Sequence, residues 1–529
     1  MAKSYKVLIT TSGVGTLLGE FVKYTNKTLI KVGRRPTLSY ILDSYPTGTE
    51  FVITLGHFSE HVREFIEMAY PKTKITFVEV DKFDGPGSSL IYSMLKASNH
   101  LQEPFIYHAS DTIVTDKPSP PKKNWIGGFK GSGSSNYASF DILDGTINSI
   151  HDKGNPNPDY LHVGWVGINN FKEFWKQANL LLKESSQNES LGDVEVIRKM
   201  LSNGIKFNFV PVKKWYDVGN IDSLNKVRYE IEDSFHILDK PSESIYFLNG
   251  NVVKFFSDSR MVKDRVKRAG ILKNLVPKIE SSGNNFYSYK HVKGDLMAEI
   301  VQPHSLRELL SWAESKLWKP SKEVSNDDFK KVCLKFYKDK TKERLKEFIK
   351  SRGIKDSLTS INGSKVPSAE SLLKQVDFDQ LSSGEQTHYH GDFVLDNILK
   401  TKDGFCLLDW RQNFGGLIES GDKYYDLAKL SHNLTVNHGI VNNNLFEIKV
   451  KGQQVKCDIM RKHSLVQSKE ELFRFLNENK YDSRKVELLT AIIWLNMAPL
   501  HEHPLDIFLY YFGRLNLWYA LKNGTNAKV

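Results

Sequence analysis

Over residues 1–235 the chain alternates short apolar runs with amphipathic ones, and that spacing leaves few folds open. Strand-like runs lie at Lys6–Thr10, Glu50–Thr54, Ile75–Glu79, Pro104–His108, Ile126–Lys130 and Phe207–Pro211, with helical patterns such as Ser59–Ala69 and Ser89–Ala97 between them. Parallel strands need a crossover of a dozen or more residues, usually a helix, and these intervals supply it. The expectation is an α/β fold with a doubly wound, mostly parallel, Rossmann-like sheet. Its ligands should bind beyond the carboxyl ends of the strands.

The pattern then changes. Leu238-Asp239-Lys240-Pro241-Ser242 reads as a connector, followed by the apolar runs Ser244–Leu248 and Asn251–Phe256 around Asn249-Gly250, a strong hairpin signal. From about Leu306 the chain is mainly helical: Phe329, Val332, Cys333, Phe336 and Tyr337, then Leu345, Phe348 and Ile349, keep a 3.6-residue period. Lys355–Glu370, rich in Ser, Gly and Lys, reads as a loop. A chain of 529 residues exceeds one ordinary core, so two domains are expected, residues 1–235 and 243–529.

Composition excludes several classes of function. The net charge of +11 comes from 73 basic and 62 acidic residues, but the densest basic stretch, Lys338–Lys350, is interrupted by Asp339, Glu343 and Glu347. That reads as a solvated helix face, not a nucleic-acid patch. Cys333, Cys406 and Cys457 are too scattered for a disulfide framework or a zinc site. Lys6-Val7-Leu8-Ile9-Thr10 begins a strand where a signal peptide would place an apolar stretch, and no run approaches the ~18 to 20 apolar residues of a membrane span. The expectation is a soluble cytoplasmic protein that inserts in no membrane and binds no nucleic acid. Whether it forms a homo-oligomer stays open.

Two segments carry chemistry. The first strand runs into Thr11-Ser12-Gly13-Val14-Gly15-Thr16, a turn whose backbone N–H groups can approach phosphates, with Lys27 and Pro36 downstream. Asp84-Gly85-Pro86-Gly87-Ser88-Ser89, Ser110-Asp111, His151-Asp152-Lys153, His162-Val163-Gly164-Trp165 and Trp215-Tyr216-Asp217-Val218-Gly219 follow in order. The ordered set resembles the sugar-phosphate nucleotidyltransferases over residues 5 to about 230. The resemblance implies that Gly13, Gly15, Thr16, Gly85, Gly87 and Ser88 bind the nucleotide and that Lys27 holds the reacting phosphates. Asp111 and Asp217 would hold Mg²⁺, and Lys153 and Gly164 would meet the acceptor. The family's arginine after Gly-Thr falls on Leu17, which leaves its task to Lys23 or another base, or leaves this half slow or inactive.

The second segment is His390-Gly391-Asp392-Phe393-Val394-Leu395-Asp396-Asn397, followed by Leu408-Asp409-Trp410. It resembles the catalytic loop of the aminoglycoside phosphotransferase and choline kinase family, a branch of the protein-kinase-like fold. The resemblance implies an α+β bilobal domain, with a small lobe at about 243–300 and a helical lobe at about 301–529. Asp392 would orient and deprotonate the acceptor hydroxyl, Asn397 and Asp409 would hold Mg²⁺ on ATP, and Lys254 would bind the α/β-phosphates. Lys254's usual glutamate partner is missing from Arg265–Leu272. His390 would brace the loop, and Asp426 would be structural. Trp494, Tyr510, Tyr511, Trp518 and Tyr519 could form an aromatic box for a quaternary ammonium, but Phe508, Phe512, Leu515 and Tyr519 recur at the helical spacing of a core.

Together these imply a bifunctional transferase. ATP would phosphorylate a small sugar or alcohol, and a second NTP, CTP being favoured, would couple to that phosphate with release of pyrophosphate. By family resemblance the product would be an NDP-activated donor for bacterial surface polysaccharide. The rivals are a choline or amino-alcohol kinase joined to a phosphocholine-type cytidylyltransferase, and a kinase carrying a non-catalytic nucleotidyltransferase-like sensor or scaffold.

Overall fold

Four of the strand-like runs pair in parallel, and the helices between them are the crossovers that such pairing demands. In the computed structural model, which describes residues 5–131, 136–185, 189–231 and 240–523, Lys74–Glu79, Glu50–Leu55, Lys6–Thr10 and Phe105–Ala109 lie side by side. Val7 stands opposite Phe51 on one flank and Ile106 on the other. The unbroken parallel run ends there. Tyr160–Ile168 runs antiparallel to Phe105–Ala109 and to Trp125–Phe129, Asn208–Val212 runs parallel to the latter, and the hairpin Ser139–Leu143/Thr146–His151 completes a nine-stranded sheet. The fold is mixed α/β, which corrects the expectation of a mostly parallel sheet. The cause is local. Asp144 and Gly145 adopt φ of 49° and 75°, a two-residue turn that can only reverse the chain.

Alternation along each strand supplies both faces with core. Val7, Ile9, Phe51 and Ile53 pack with Val62, Phe65 and Ile66 of the helix Ser59–Ala69. Leu8, Val52 and Tyr107 pack on the other face with Ile91 and Met94 of the helix Leu90–Ala97 and with Phe174 and Trp175 of Phe171–Glu184.

The chain divides into two compact units, Met1–Ser259 with Glu280–Tyr289, and Arg260–Ile279 with Lys290–Val529. The connector read at 238–242 falls partly outside the described residues. The hairpin after it forms as Glu243–Leu248 and Asn251–Phe256, with Asn249 and Gly250 at φ 50° and 77°, in a four-stranded sheet with Phe286–Lys290 and Ile279–Ser282. Tyr246, Val253, Phe255 and Phe286 share the first unit's core with Val7 and Phe65.

The second unit is mainly helical. Asn326–Leu334, Lys340–Ser351, Lys423–Asn433, Ser483–Met497 and Leu505–Asn523 are among its helices, and its core includes Phe329, Cys333, Phe414, Leu489 and Phe508. Between the first two, Lys335–Asp339 is wound as a π-turn. The stretch read as a loop at 355–370 contains the strands Thr359–Ile361 and Ser364–Val366, reversed by Asn362-Gly363 at φ 48° and 81°. Among the described residues no helix is long and apolar enough to cross a membrane.

Candidate active sites

In the first unit, three of the residues singled out from sequence meet beyond the strand ends. Lys27 Nζ donates to Asp111 Oδ2 at 3.1 Å. Asp111 follows the strand Phe105–Ala109, and its carbonyl accepts from Val218 N at 2.9 Å, which brings the Asp217 segment alongside. Trp215–Asp217 pairs antiparallel with Thr112–Val114, so Asp217 stands opposite Thr112. Asp217 accepts from Gly219 N at 3.0 Å, Tyr137 Oη at 2.9 Å and Asn220 Nδ2 at 3.1 Å. A Cβ built on Gly219 would lie 3.1 Å from Asp217 Oδ1 and 3.4 Å from Asp111 Oδ2. Glycine thus keeps the space between the two carboxylates open.

Their electrostatics differ. Burial pushes the Asp111 carboxyl up, but the Lys27 ammonium outweighs burial and holds it below the ordinary carboxylate range. Asp217 is pushed up, by burial first and then by the charge of Asp111. Two converging acids with one lysine, paired to Asp111, leave negative charge uncompensated, and oxygen donors are what Mg²⁺ takes. Among the described residues no group of three or more His, Cys, Asp and Glu is arranged to hold a metal ion. Two carboxylates can hold Mg²⁺ with the rest of its shell from water and substrate phosphates.

The two glycine-rich turns reach the same edge. Gly15, at φ 75°, lies against Lys27, since a Cβ there would come 3.0 Å from the lysine Cβ. Gly56 ends the strand Glu50–Leu55 and is pinched between the two turns: a Cβ would stand 2.6 Å from Ser12 O and 2.8 Å from Phe83 Cβ. Gly13 has open space beside it, Thr16 is exposed, and Gly85 and Gly87 adopt φ of 70° and 88°. Ser88 Oγ donates to Gly85 O at 2.7 Å, closing the second turn upon itself. Gly164 has a packing reason for being glycine: at φ 71°, a Cβ would lie 2.6 Å from Ala109 Cβ. Lys153 is exposed on the turn after Thr146–His151 and pairs with none of these groups, while Leu17 is 72% exposed. Sequence reasoning missed Asn26. It is fully buried, donates to Thr11 O at 2.9 Å and His57 O at 2.6 Å, and so fixes the segment that carries Lys27.

In the second unit, Asp392 lies between an amide and an ammonium. Asn397 Nδ2 donates to Asp392 O at 3.1 Å and Oδ2 at 3.3 Å, and Lys429 Nζ stands 2.7 Å from Oδ1. Burial pushes Asp392 up, yet Lys429 outweighs it and the carboxyl is held low. Asp426 accepts from His390 N and Gly391 N at 2.7 Å each and from Trp318 Nε1 at 3.1 Å, which pins the loop from below. Burial raises the Asp426 carboxyl to about 6. His390 is buried and lowered to about 4, so at neutral pH it carries no charge. Its Nε2 meets Leu408 O at 2.8 Å and its Nδ1 accepts from Asp392 N at 3.2 Å, the contacts of a brace.

Asn397 and Asp409 flank the hairpin Ile398–Thr401/Gly404–Leu407, whose first and last residues, Ile398 and Leu407, pair. Leu408 N donates to Asn397 O at 2.7 Å, so both oxygen-bearing side chains belong to one end of that hairpin, a donor set that suits Mg²⁺. Asp409 holds φ 53° and is paired with Arg265, a partner sequence did not suggest. The buried Arg268, one turn on, donates to the carbonyls of Tyr389, His390 and Arg411. Lys254 is buried on Asn251–Phe256 in the first unit.

The aromatic residues of the last helices are mostly core. Trp494, Tyr510 and Tyr511 are buried, Tyr510 donates to Asp356 Oδ1 at 2.8 Å, and Arg514 already lies over the rings of Tyr510 and Tyr511.

No protein-family model and no curated protein matches the chain. Among solved structures it is similar over its N-terminal part to a Bacillus anthracis protein described as a glucose-1-phosphate thymidylyltransferase, at 18% identity and TM-score 0.39, covering 45% of this chain and 98% of that one. It is also similar to the inositol-1-phosphate CTP transferase of T. maritima, at 14% and 0.36, covering 44% and 98%. A third is the CTP:phosphocholine cytidylyltransferase of Streptococcus pneumoniae, at 13% and 0.36, covering 43% and 100%. Likeness at this level decides neither activity nor substrate.

Proposed function

We propose that the first unit transfers a nucleotidyl group to a phosphate ester, and that the second makes such an ester from ATP and an alcohol. The observation that carries the reading is the convergence of Lys27, Asp111 and Asp217 on the space left open by Gly219, past the end of a glycine-turn strand. An oxygen of the ester attacks the α-phosphorus of an NTP, and pyrophosphate leaves. Lys27 neutralises phosphate charge, the turn amides orient the triphosphate, and Asp111 and Asp217 would hold Mg²⁺, which when bound screens charge at the reacting phosphorus. Asn26 and Tyr137 keep two of these side chains in place.

In the second unit Asp392 orients the acceptor hydroxyl and takes its proton, Lys429 keeps that carboxylate ionised, and Asp426 fixes the loop. Asn397 and Asp409, the latter paired with Arg265, would hold Mg²⁺ on ATP. The product of this unit is the kind of substrate the other consumes.

The test is pyrophosphate release from CTP and the other NTPs with a panel of sugar and alcohol phosphates, run beside ADP release from ATP with the parent alcohols. No pyrophosphate with any pair would sink the first half of the reading. Leu17 favours a second reading, in which the first unit binds a nucleotide without turning it over. Saturable NTP binding without pyrophosphate release is the result that reading requires.

A further inference from the structure

We propose that the alcohol phosphorylated by the second unit is itself an anion, bearing a carboxylate or a phosphate that Lys340, Arg344 and Arg411 receive. This rests on the phosphoryl-transfer reading above and narrows its substrate. Lys340 and Arg344 stand one turn apart on the helix Lys340–Ser351, directly after the π-turn Lys335–Asp339. Lys340 Nζ lies 4.4 Å, and Arg411 Cζ 5.1 Å, from the centre of one ring, Phe336. Phe336 meets Tyr425 edge-on at 5.2 Å, and one turn beyond Tyr425 on Lys423–Asn433 is Lys429, 2.7 Å from Asp392. Arg411 N donates to His390 O at 3.0 Å, joining the cluster to the loop that carries Asp392.

Among the described residues Lys340, Arg344 and Arg411 have no carboxylate within ion-pair distance. Arg344 donates to Asn496 O at 3.3 Å and Arg411 to Asn413 O at 3.0 Å, both neutral. Glu343 and Glu347, on the same helix, are exposed and unpaired with Arg344. All three cations are partly buried. Burial, then Arg411, Arg344 and Lys429, push the Lys340 ammonium down to about 7. Cations held together against mutual repulsion, beside a carboxylate that deprotonates a hydroxyl, are matched by an anionic substituent on that hydroxyl's own molecule. A quaternary ammonium acceptor would be repelled.

The step balances without further reagents. The acceptor oxygen bonds to the γ-phosphorus of ATP, the bond from that phosphorus to the bridging oxygen of ADP breaks, and the hydroxyl proton passes to Asp392. The charged substituent on Lys340, Arg344 and Arg411 takes no part beyond holding the molecule.

The experiment uses the full chain with ATP and Mg²⁺ and reads ADP release. Glycerate and gluconate are carboxylate acceptors, glycerol phosphate and glucose 6-phosphate are phosphate acceptors, glycerol and glucose are neutral ones, and choline is cationic. An anionic acceptor should exceed its neutral parent about ten- to a hundredfold in kcat/KM, and the two anionic arms identify the substituent. The variant K340Q/R344Q should raise the KM for that acceptor about ten- to a hundredfold, leave the KM for ATP unchanged, and melt like the parent; K340R should keep the parent's KM. A neutral acceptor or choline turned over as well as the anions overturns the proposal and leaves phosphoryl transfer standing. A rise in the KM for ATP would make the cluster part of the nucleotide site and also overturn it. In parallel, protection against heat by glycerol phosphate and by glycerate is measured in both proteins. Protection of the parent alone, with no acceptor turned over, upholds the anion site and removes the phosphoryl-transfer reading. Equal protection of both proteins, or of neither, sinks the anion site.

Discussion

Replacing Lys27 by Met keeps most of the side chain's length and removes its charge. Lys27 Nζ is 3.1 Å from Asp111 Oδ2, and at an effective dielectric of about 20 two unit charges at that distance attract by about 5 kcal/mol. Lys27 is 17% exposed and Asp111 33% exposed, so solvent screening and the cost of desolvation reduce the net contribution to about 1 kcal/mol. The first unit should therefore stay folded, with its melting point lower by about 2–4 °C. The reaction loses more. A fixed cation facing phosphates in a site partly closed to water contributes about 3–4 kcal/mol to the transition state, or about 10²- to 10³-fold in kcat. The assay is pyrophosphate release from an NTP and a phosphate ester, with ADP release by the second unit as the internal control. Lys27→Arg, which keeps the charge, should recover part of the rate. Parental pyrophosphate release by Lys27→Met would refute the reasoning, and equal loss of both activities would trace the effect to folding instead.

Asp392→Asn should cut ADP release by about 10²-fold or more while pyrophosphate release from a supplied ester is unchanged, checked by running both assays on one preparation. Gly164→Ala should destabilise the first unit by about 2–4 kcal/mol, because it combines a positive φ with a 2.6 Å approach to Ala109, and Ala109→Gly in the same chain should restore part of the loss in a denaturant titration. Burial lowers His108 from its ordinary 6.5 to about 4, so its contribution to stability is complete above pH 6.5 and is lost as pH falls toward 4. At pH 5 that loss is about 2 kcal/mol, and His108→Phe should flatten the pH dependence of the first unit's denaturation midpoint over this window.

Much of the first unit was legible because its signals are local. Ser59–Ala69 and Lys6–Thr10 form with the bounds their periodicity suggests, and the Asn249-Gly250 turn reverses the chain as its residue types require. The missed pieces depend on distant partners. Thr359–Ile361 is three residues long, two of them polar, and it is a strand because Gln454–Ile459, some ninety residues on, pairs with it. The hairpin at 139–151 is marked by Asp144-Gly145, and Ser139–Leu143 alternates polar and apolar residues, but the second strand shifts register between Ile147 and Ser149, which breaks the alternation there. At the sites, residue types tied to phosphate chemistry could be picked out in order along the chain. Residues that act by position could not: Asn26, Gly56 and Lys429 show their parts only when segments far apart in sequence meet.

The chain passes between the two units three times, at 259–260, 279–280 and 289–290. Two units joined end to end would be separable with one cut. These two are threaded more like a seam. A gene fragment stopping at residue 259 would omit Phe286 from the first unit's core, and one starting at 290 would deprive the second of Arg265 and Arg268, which hold Asp409 and the carbonyls of the loop before Asp392. Neither fragment is a whole module, so a lineage carrying this join could not shed one half by a simple truncation. A join of this kind is hard to undo, and the two units are inherited together.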